Sequence, residues 1–382
     1  MNEVKNSMIE LQEGEIPSIR QAGRYAIVAI TRHGVERART LFNKFPGADL
    51  YYMSKFERGD EAEKGIQMFT GTVRLLFPAL FPAYDGIIVF ISLGAVVRMI
   101  APVLKDKKVD PGVVVVDDRA QFAISVLSGH LGGANELTQE IAAILGAQPV
   151  ITTASDVQKT IPVDLFGRRF GWEWDAESEK KLTPVSASVV NEEHVAIVQE
   201  SGEKDWWMHD TPMPASLKVY PSINEALRAA PNAALVVTHR VLSPEERPIL
   251  SNGVLYRPKV VVLGMGCNRG TSAEEIEQVI HSTLDELQIS IQSVKAICTI
   301  DLKKDEAGLI EVCGKYKWEF VCYTPEELNE IMIEDPSETV FKYTGAYGVS
   351  EPACKRYAGT NTLELVKRKS GNVTISVGLI SY

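Results

Sequence analysis

The sequence predicts an α/β protein of more than one domain, with mixed or parallel sheets flanked by helices. Three observations carry that expectation. Short runs of β-branched and apolar residues alternate with segments whose apolar residues recur at helical spacing. The chain has 382 residues, enough for two or three domains with cores of their own. Small, hydroxylated and glycine residues collect where the strand-like runs end, the usual place for a ligand crevice in an open α/β sheet. The reading divides the chain into a flexible extension or capping segment over 1–23, an N-terminal domain over 24–156, a central segment over 157–250 and a C-terminal domain over 259–382.

The elements follow in order. Residues 25–30 read as a first strand and 35–42 as a polar helix. Residues 54–80 read as helical and partly exposed. The unbroken apolar run of 86–92 marks a buried strand, and 95–100 a short helix that Pro102 ends. Residues 113–116 and 122–127 are strands joined by Asp117-Asp118-Arg119-Ala120. A helix follows over 136–145, with apolar residues at 137, 141, 144 and 145, and then a strand over 148–152. Between 157 and 250 lie four of the five tryptophans (172, 174, 206, 207), which either pack a core or face a flat ligand. Strands over 195–199 and 234–238 and a helix over 223–230 are expected there, and 244–258 reads as a linker with a turn at Asn252-Gly253. The last domain opens with a strand over 259–263. Ser272-Ala273-Glu274-Glu275 and Thr324-Pro325-Glu326-Glu327 read as capping boxes, and strands are expected over 294–300, 318–322, 363–366 and 373–378.

Composition narrows the function. Hydrophobic content of 45% and charged content of 24% are ordinary for a globular protein. A net charge of −10 argues against a nucleic-acid binder, and a polyanionic substrate would need locally clustered cations. The five cysteines (267, 298, 313, 322, 354) never fall as C-x-x-C, so neither a disulfide framework nor a zinc site is implied. The six histidines are scattered, with no H-E-x-x-H. The most apolar window, 87–97, is broken by Ser92 and Gly94 and is shorter than the ~18 residues of a membrane span. Residues 1–21 lack the apolar core of a signal peptide, so a cytoplasmic protein without membrane contact is expected.

The most informative run is Leu127-Ser128-Gly129-His130-Leu131-Gly132-Gly133-Ala134-Asn135. It joins a strand to a helix through glycines, which allow close backbone approach to an anion near the positive end of a helix dipole. His130 adds a group that titrates near neutrality. It is read as acid, base or substrate ligand, or else as a cap of its own loop, with Ser128 organising the backbone. Ser92 and Gly94, Ser128 and Gly129, and Thr152 and Thr153 each follow a strand and would form one binding rim, or serve as turn and capping residues. Arg98, one turn into the helix after Ser92, is a carboxylate-binding candidate, whereas Lys105, Lys107 and Lys108 read mostly as a solvated turn. Asp117 and Asp118 either assist the histidine or cap a β-turn. Glu351, before Pro352, is a further catalytic candidate or a carboxylate favoured there by a helix dipole. Gly264-x-Gly266-x-x-x-Gly270 follows a strand, but its spacing departs from the dinucleotide fingerprint and no P-loop lysine follows. A carboxylate held by Gly264, Gly266 and Arg269 is the better reading, and a nucleotide-dependent enzyme the weaker one.

Asp110 to Asp117, the 127–135 run, Val150-Ile151-Thr152-Thr153-Ala154, Gly264-Met265-Gly266-Cys267-Asn268-Arg269-Gly270-Thr271-Ser272 and Ser350-Glu351-Pro352-Ala353 together resemble the CbiG family. These are the cobalt-precorrin-5A hydrolases of anaerobic cobalamin biosynthesis. The resemblance covers about 70–382, least in the middle third. The extension before Arg24 has no counterpart in it, and Ala353-Cys354-Lys355-Arg356 stands where a more apolar helix start is the pattern. The resemblance implies opening of the δ-lactone of cobalt-precorrin-5A, loss of the meso carbon as acetaldehyde, and cobalt-precorrin-5B as product. It implies no cofactor of the protein's own, since cobalt arrives in the substrate, and it leaves room for contact with other enzymes of the pathway. Chemistry and position, not the resemblance, assign the roles: His130 as acid or base, Asp117 or Asp118 assisting it, and the amides of 129–135 (Gly129, Gly132, Gly133 and Asn135 among them) meeting the oxyanion or a carboxylate. The last domain resembles CobE, so a non-catalytic tetrapyrrole carrier or chaperone is the alternative.

Overall fold

The computed structural model describes residues 8–382, and the chain divides into two compact units between Asp164 and Leu165. The first unit is built on an eight-stranded sheet. Its elements are β1 (Met8–Glu10), β2 (Tyr25–Ala29), α1 (Arg32–Lys44), β3 (Ala48–Met53), α2 (Glu61–Lys64), β4 (Gln67–Thr70), α3 (Phe77–Ala83), β5 (Gly86–Phe90), α4 (Leu93–Ile100), β6 (Gly112–Val116), β7 (Phe122–Leu127), α5 (Ala134–Leu145), β8 (Gln148–Val150) and α6 (Ala154–Gln158).

Strand order is β1-β4-β3-β2-β5-β6-β7-β8. β5 and β6 are buried at every residue, as strands covered by helices on both faces must be, which is why they read as continuous apolar runs. One core lies under α1 and α5, around Ile27, Leu41, Ile88, Val114 and Ile141. The other lies under α3 and α4, around Val28, Phe77, Val89, Val96 and Val115.

One reversal decides where the chemistry sits. β1 to β6 run parallel, but β7 is antiparallel to β6 and β8 is parallel to β7. Leu127 therefore pairs with Val113 near the start of β6. The loops after β7 and β8 lie at the edge of the sheet opposite the loops after β2, β5 and β6. At ~3.3 Å per residue, the five residues of β6 put roughly 15 Å between those edges.

One expectation is corrected here. The stretch 54–80 is not one helical region, because β4 lies inside it, fully buried over Gln67–Phe69 and paired with β1 and β3. The described part of the extension packs as the capping segment, the alternative expected there. β1 adds a strand to β4, and Gln67 exchanges hydrogen bonds with the Arg20 backbone N–H and carbonyl at 2.8 and 2.6 Å. Asp49 accepts from the N–H groups of Ala22 and Gly23 at 2.8 and 3.0 Å, so the segment caps the sheet. The expected extension over 1–7 lies outside the described residues.

The second unit carries two five-stranded sheets. The first comprises β9 (Glu173–Trp174), β10 (Val195–Gln199), β11 (Leu217–Tyr220), β12 (Ala233–Val237) and β13 (Gly253–Arg257), with helices α7 (Leu182–Val190) and α8 (Ile223–Arg228). β13 replaces the linker expected over 244–258. Its five residues are all buried between β12 and β9, and the Asn252-Gly253 turn signal marks its start rather than a break. Of the tryptophans, Trp172 is buried edge-on against Phe166, and Trp206 meets Phe166 at 5.1 Å, so both pack a core.

The second sheet holds β14 (Val261–Cys267), β15 (Val294–Ile300), β16 (Glu319–Tyr323), β17 (Leu365–Ser370) and β18 (Val373–Leu379), in the order β16-β15-β14-β18-β17. Its helices are α9 (Ala273–Glu286), α10 (Ala307–Tyr316), α11 (Pro325–Asn329), α12 (Glu338–Thr344) and α13 (Ser350–Ala358). The Thr324 capping box is complete. At Ser272 only half of it forms, because the Glu275 carboxylate accepts from the Asn372 N–H at 2.8 Å instead of reaching back to the cap.

Candidate active site

β7 delivers the chain to Ser128, which takes a left-handed conformation (φ 54°) and turns the loop back on itself. The Ser128, Gly129 and His130 carbonyls then accept from the N–H groups of Ala134, Asn135 and Gly133, at 3.2, 3.0 and 2.9 Å. A Cβ on Gly129 would lie 2.7 Å from the Asn135 side-chain oxygen, so glycine there leaves room for the Asn135 amide. Gly133 has φ 76° and leads into α5. The glycines thus fold the loop first, and three of the amides expected to face an anion are taken by the loop's own carbonyls.

This fold fixes His130 between two carboxylates. Its Nδ1 lies 2.9 Å from Asp164 Oδ1, and its Nε2 lies 3.0 Å from Asp156 Oδ2 and 3.1 Å from Ser155 Oγ. Asn135, almost wholly buried, donates to Thr153 Oγ1 at 3.0 Å and to the same Asp156 oxygen at 3.1 Å, while its own oxygen accepts from Ser125. Both ring nitrogens can donate to carboxylates only in the imidazolium form. The hydrogen bond to Asp164, with the smaller contribution of Asp156, raises the pKa of His130 above its ordinary value against the opposing effect of burial. The resting histidine is therefore a poised proton donor, with Asp156 the more exposed of its carboxylates (side chain 36% exposed, against 21% for Asp164).

The expected rim is only partly assembled. Thr153 joins Ser128, Gly129 and His130 because β7 and β8 end at one edge, and the exposed Thr152 precedes it. Ser92 and Gly94, after β5, belong to the opposite edge and are exposed. Arg98 lies in the last turn of α4, exposed. Asp117 and Asp118 also belong to the opposite edge and cannot assist His130. Asp117 accepts from the N–H groups of Phe122 and Arg119 at 2.6 and 3.1 Å and so closes the β6–β7 turn. Asp118 hydrogen-bonds Thr31 and accepts from the Gly34 N–H at 3.1 Å, which supports the start of α1.

The remaining candidates lie in the second unit. Gly264 and Gly266 are inside β14 rather than in a loop after it, and a Cβ on Gly264 would overlap the Ser350 carbonyl. That glycine lets α13 lie close on the sheet. Arg269 is committed to Asp305 at 2.6 Å and to the Leu302 carbonyl at 2.9 Å. Glu351 is buried in an ion pair of 2.7 Å with Lys355. A cavity of about 550 Å³ lies near β13, lined in part by Asp175, Lys181, Arg247 and Arg257. Arg257 there donates to the carbonyls of Thr238 and Arg240, which stitches strands together.

Sequence reasoning missed Ser155, Asp156 and Asp164. Asp156 stood at the last position of the expected domain, and Asp164 beyond it. Neither has a spacing that ties it to a histidine so far upstream. Among the described residues no group of three or more His, Cys, Asp or Glu is placed to hold a metal ion, and no helix is long and apolar enough to cross a membrane.

Residues 76–156 match the family model described as Cobalamin synthesis G N-terminal, 161–258 the Cobalamin biosynthesis central region, and 261–378 the Cobalamin synthesis G C-terminus. The chain belongs to the CbiG family. The first of these matches spans the whole β7–α5 loop, with Asp156 at its limit. A protein of Priestia megaterium named cobalt-precorrin-5A hydrolase is 69% identical over 375 residues, which cover 98% of this chain and 100% of that one. A Salmonella typhimurium protein of the same name is 29% identical over 358 residues, covering 93% and 97%. Protein CobE of a Sinorhizobium species is 27% identical over 110 residues, 28% of this chain and 71% of that one, in line with the CobE-like C-terminal part.

Proposed function

We propose that this chain is a cobalt-precorrin-5A hydrolase that opens the δ-lactone of its substrate and releases the meso carbon as acetaldehyde, with cobalt-precorrin-5B as product. The observation that carries the site assignment is the Asp164–His130–Asp156 arrangement at the β7–β8 edge. Asp156 takes a proton from water as its oxygen attacks the lactone carbonyl. The N–H groups of Gly129 and Gly132, which the closed loop leaves unused among the described residues, face the developing oxyanion. His130 delivers its Nε2 proton to the departing ring oxygen, and Asp164 holds the imidazole in place throughout. The freed hydroxyl on the meso carbon then returns its proton to the neutral Nε2 of His130 as the carbonyl forms. The carbon–carbon bond breaks and its electron pair passes to the macrocycle and the cobalt of the substrate, so the protein supplies proton transfer and position and needs no cofactor of its own. Anaerobic assay of acetaldehyde from cobalt-precorrin-5A tests the reading, with purified wild type and His130→Ala. Catalytic release by wild type is expected, and its loss in the variant. Stoichiometric binding with no acetaldehyde would leave a tetrapyrrole carrier.

A further inference from the structure

A cobalt tetrapyrrole is a flat apolar body fringed with carboxylates, so its recognition asks for exposed apolar surface bordered by cations. A chain of net charge −10 must supply those cations locally. The loop bearing His130 lies between two such segments. On one side, residues 104–110 are folded by hydrogen bonds from the Lys105 N–H to both Asp110 carboxylate oxygens, 3.1 and 3.0 Å. That loop adjoins Gly132, whose Cβ would fall 3.3 Å from the Asp110 carbonyl oxygen. It presents Leu104 and Val109, 44% and 69% exposed, beside Lys105 and Lys107. On the other side, α6 supplies Ser155 and Asp156 to His130 and presents Val157, 65% exposed, with Lys159 following it. Lys105, Lys107 and Lys159 form no ion pair among the described residues. Single exposed apolar side chains are common. Three of them flanking a histidine held by carboxylates, in two short segments that also carry Lys105, Lys107 and Lys159, form a patch with a use.

We infer that the 104–110 loop and α6 are the platform on which the enzyme seats a polycarboxylate tetrapyrrole. Leu104, Val109 and Val157 meet the macrocycle, and Lys105, Lys107 and Lys159 take its peripheral carboxylates. The inference rests on the hydrolase reading for the identity of the substrate. Its geometry stands on the unpaired lysines and exposed apolar groups alone.

The test uses the full-length protein with Lys105→Glu/Lys107→Glu, Val157→Asp and, as a control in the second unit, Lys218→Glu. Two readouts are taken: KM and kcat for acetaldehyde release, and affinity for uroporphyrin III, an octacarboxylate tetrapyrrole that cannot react. The platform requires the lysine pair to raise KM about tenfold, with kcat within about twofold, and to weaken uroporphyrin binding by a similar factor that shrinks at high salt. Val157→Asp should weaken both with less salt dependence, and Lys218→Glu should change neither. Unchanged KM and uroporphyrin affinity in the lysine pair and in Val157→Asp would overturn the platform. The same losses of uroporphyrin binding in a protein that releases no acetaldehyde would keep the platform and overturn the hydrolase.

Discussion

At the scale of single residues, the site turns on one protonation state. His130 donates to Asp164 and Asp156, and its pKa is raised above the ordinary 6.5. The folded form thus binds the proton more tightly than the unfolded chain does. The stabilisation is fully present below about pH 6.5 and is lost as pH rises through the raised value. Turnover that needs the imidazolium should fall over the same window. Asp164→Asn removes the largest contribution, so the His130 titration followed by NMR should move to lower pH, and the alkaline limb of the rate profile should move with it. His130→Ala should reduce turnover by about 10²–10⁴-fold, the usual weight of a general acid. Asp118→Ala is a different case. It should cost about 1 kcal/mol of stability through the start of α1, read as a lower Tm, with turnover near wild type.

At the scale of elements, strand direction separates what the sequence places side by side. Asp117 and Asp118 precede β7 and His130 follows it, yet one strand length lies between them because β7 crosses the sheet. Alternating apolar runs show that strands exist at 112–116 and 122–127 but carry no sign of whether neighbours run parallel. The glycine-rich loop was legible because glycines and a histidine between a strand and a helix have few other uses. Its partners were not, since a buried asparagine and two distant aspartates leave no local pattern. Gly129→Ala should displace the Asn135 side chain and lower kcat with only a small fall in Tm, whereas Gly264→Ala forces α13 off β14. For the latter an overpacking loss of about 1–3 kcal/mol is expected, measured by denaturant unfolding.

At the scale of the whole molecule, the α/β class and the alternation of helices with buried strands were readable from apolar runs, while β4 and β13 were hidden by short length and flanking glycines and prolines. The second unit repeats the economy of the first, with buried strands and committed charges. Arg269 and Glu351, attractive as ligands in sequence, are spent on Asp305 and Lys355. Removing one member of the buried Glu351–Lys355 pair leaves a charge without its counterion, so Glu351→Gln should destabilise by about 3–5 kcal/mol in denaturant unfolding. Such a loss belongs to folding and says nothing against His130 as the centre of chemistry.

The direct measurement compares the two sheet edges in one assay. Acetaldehyde release from anaerobically prepared cobalt-precorrin-5A would be timed under single-turnover conditions for wild type, His130→Ala, Asp156→Asn and Asp117→Asn. Chemistry at the β7–β8 edge requires the His130 and Asp156 variants to slow at least a hundredfold while Asp117→Asn stays within about threefold of wild type. Near-normal rates in the first two with a collapse in Asp117→Asn would contradict it and move the active site to the opposite edge.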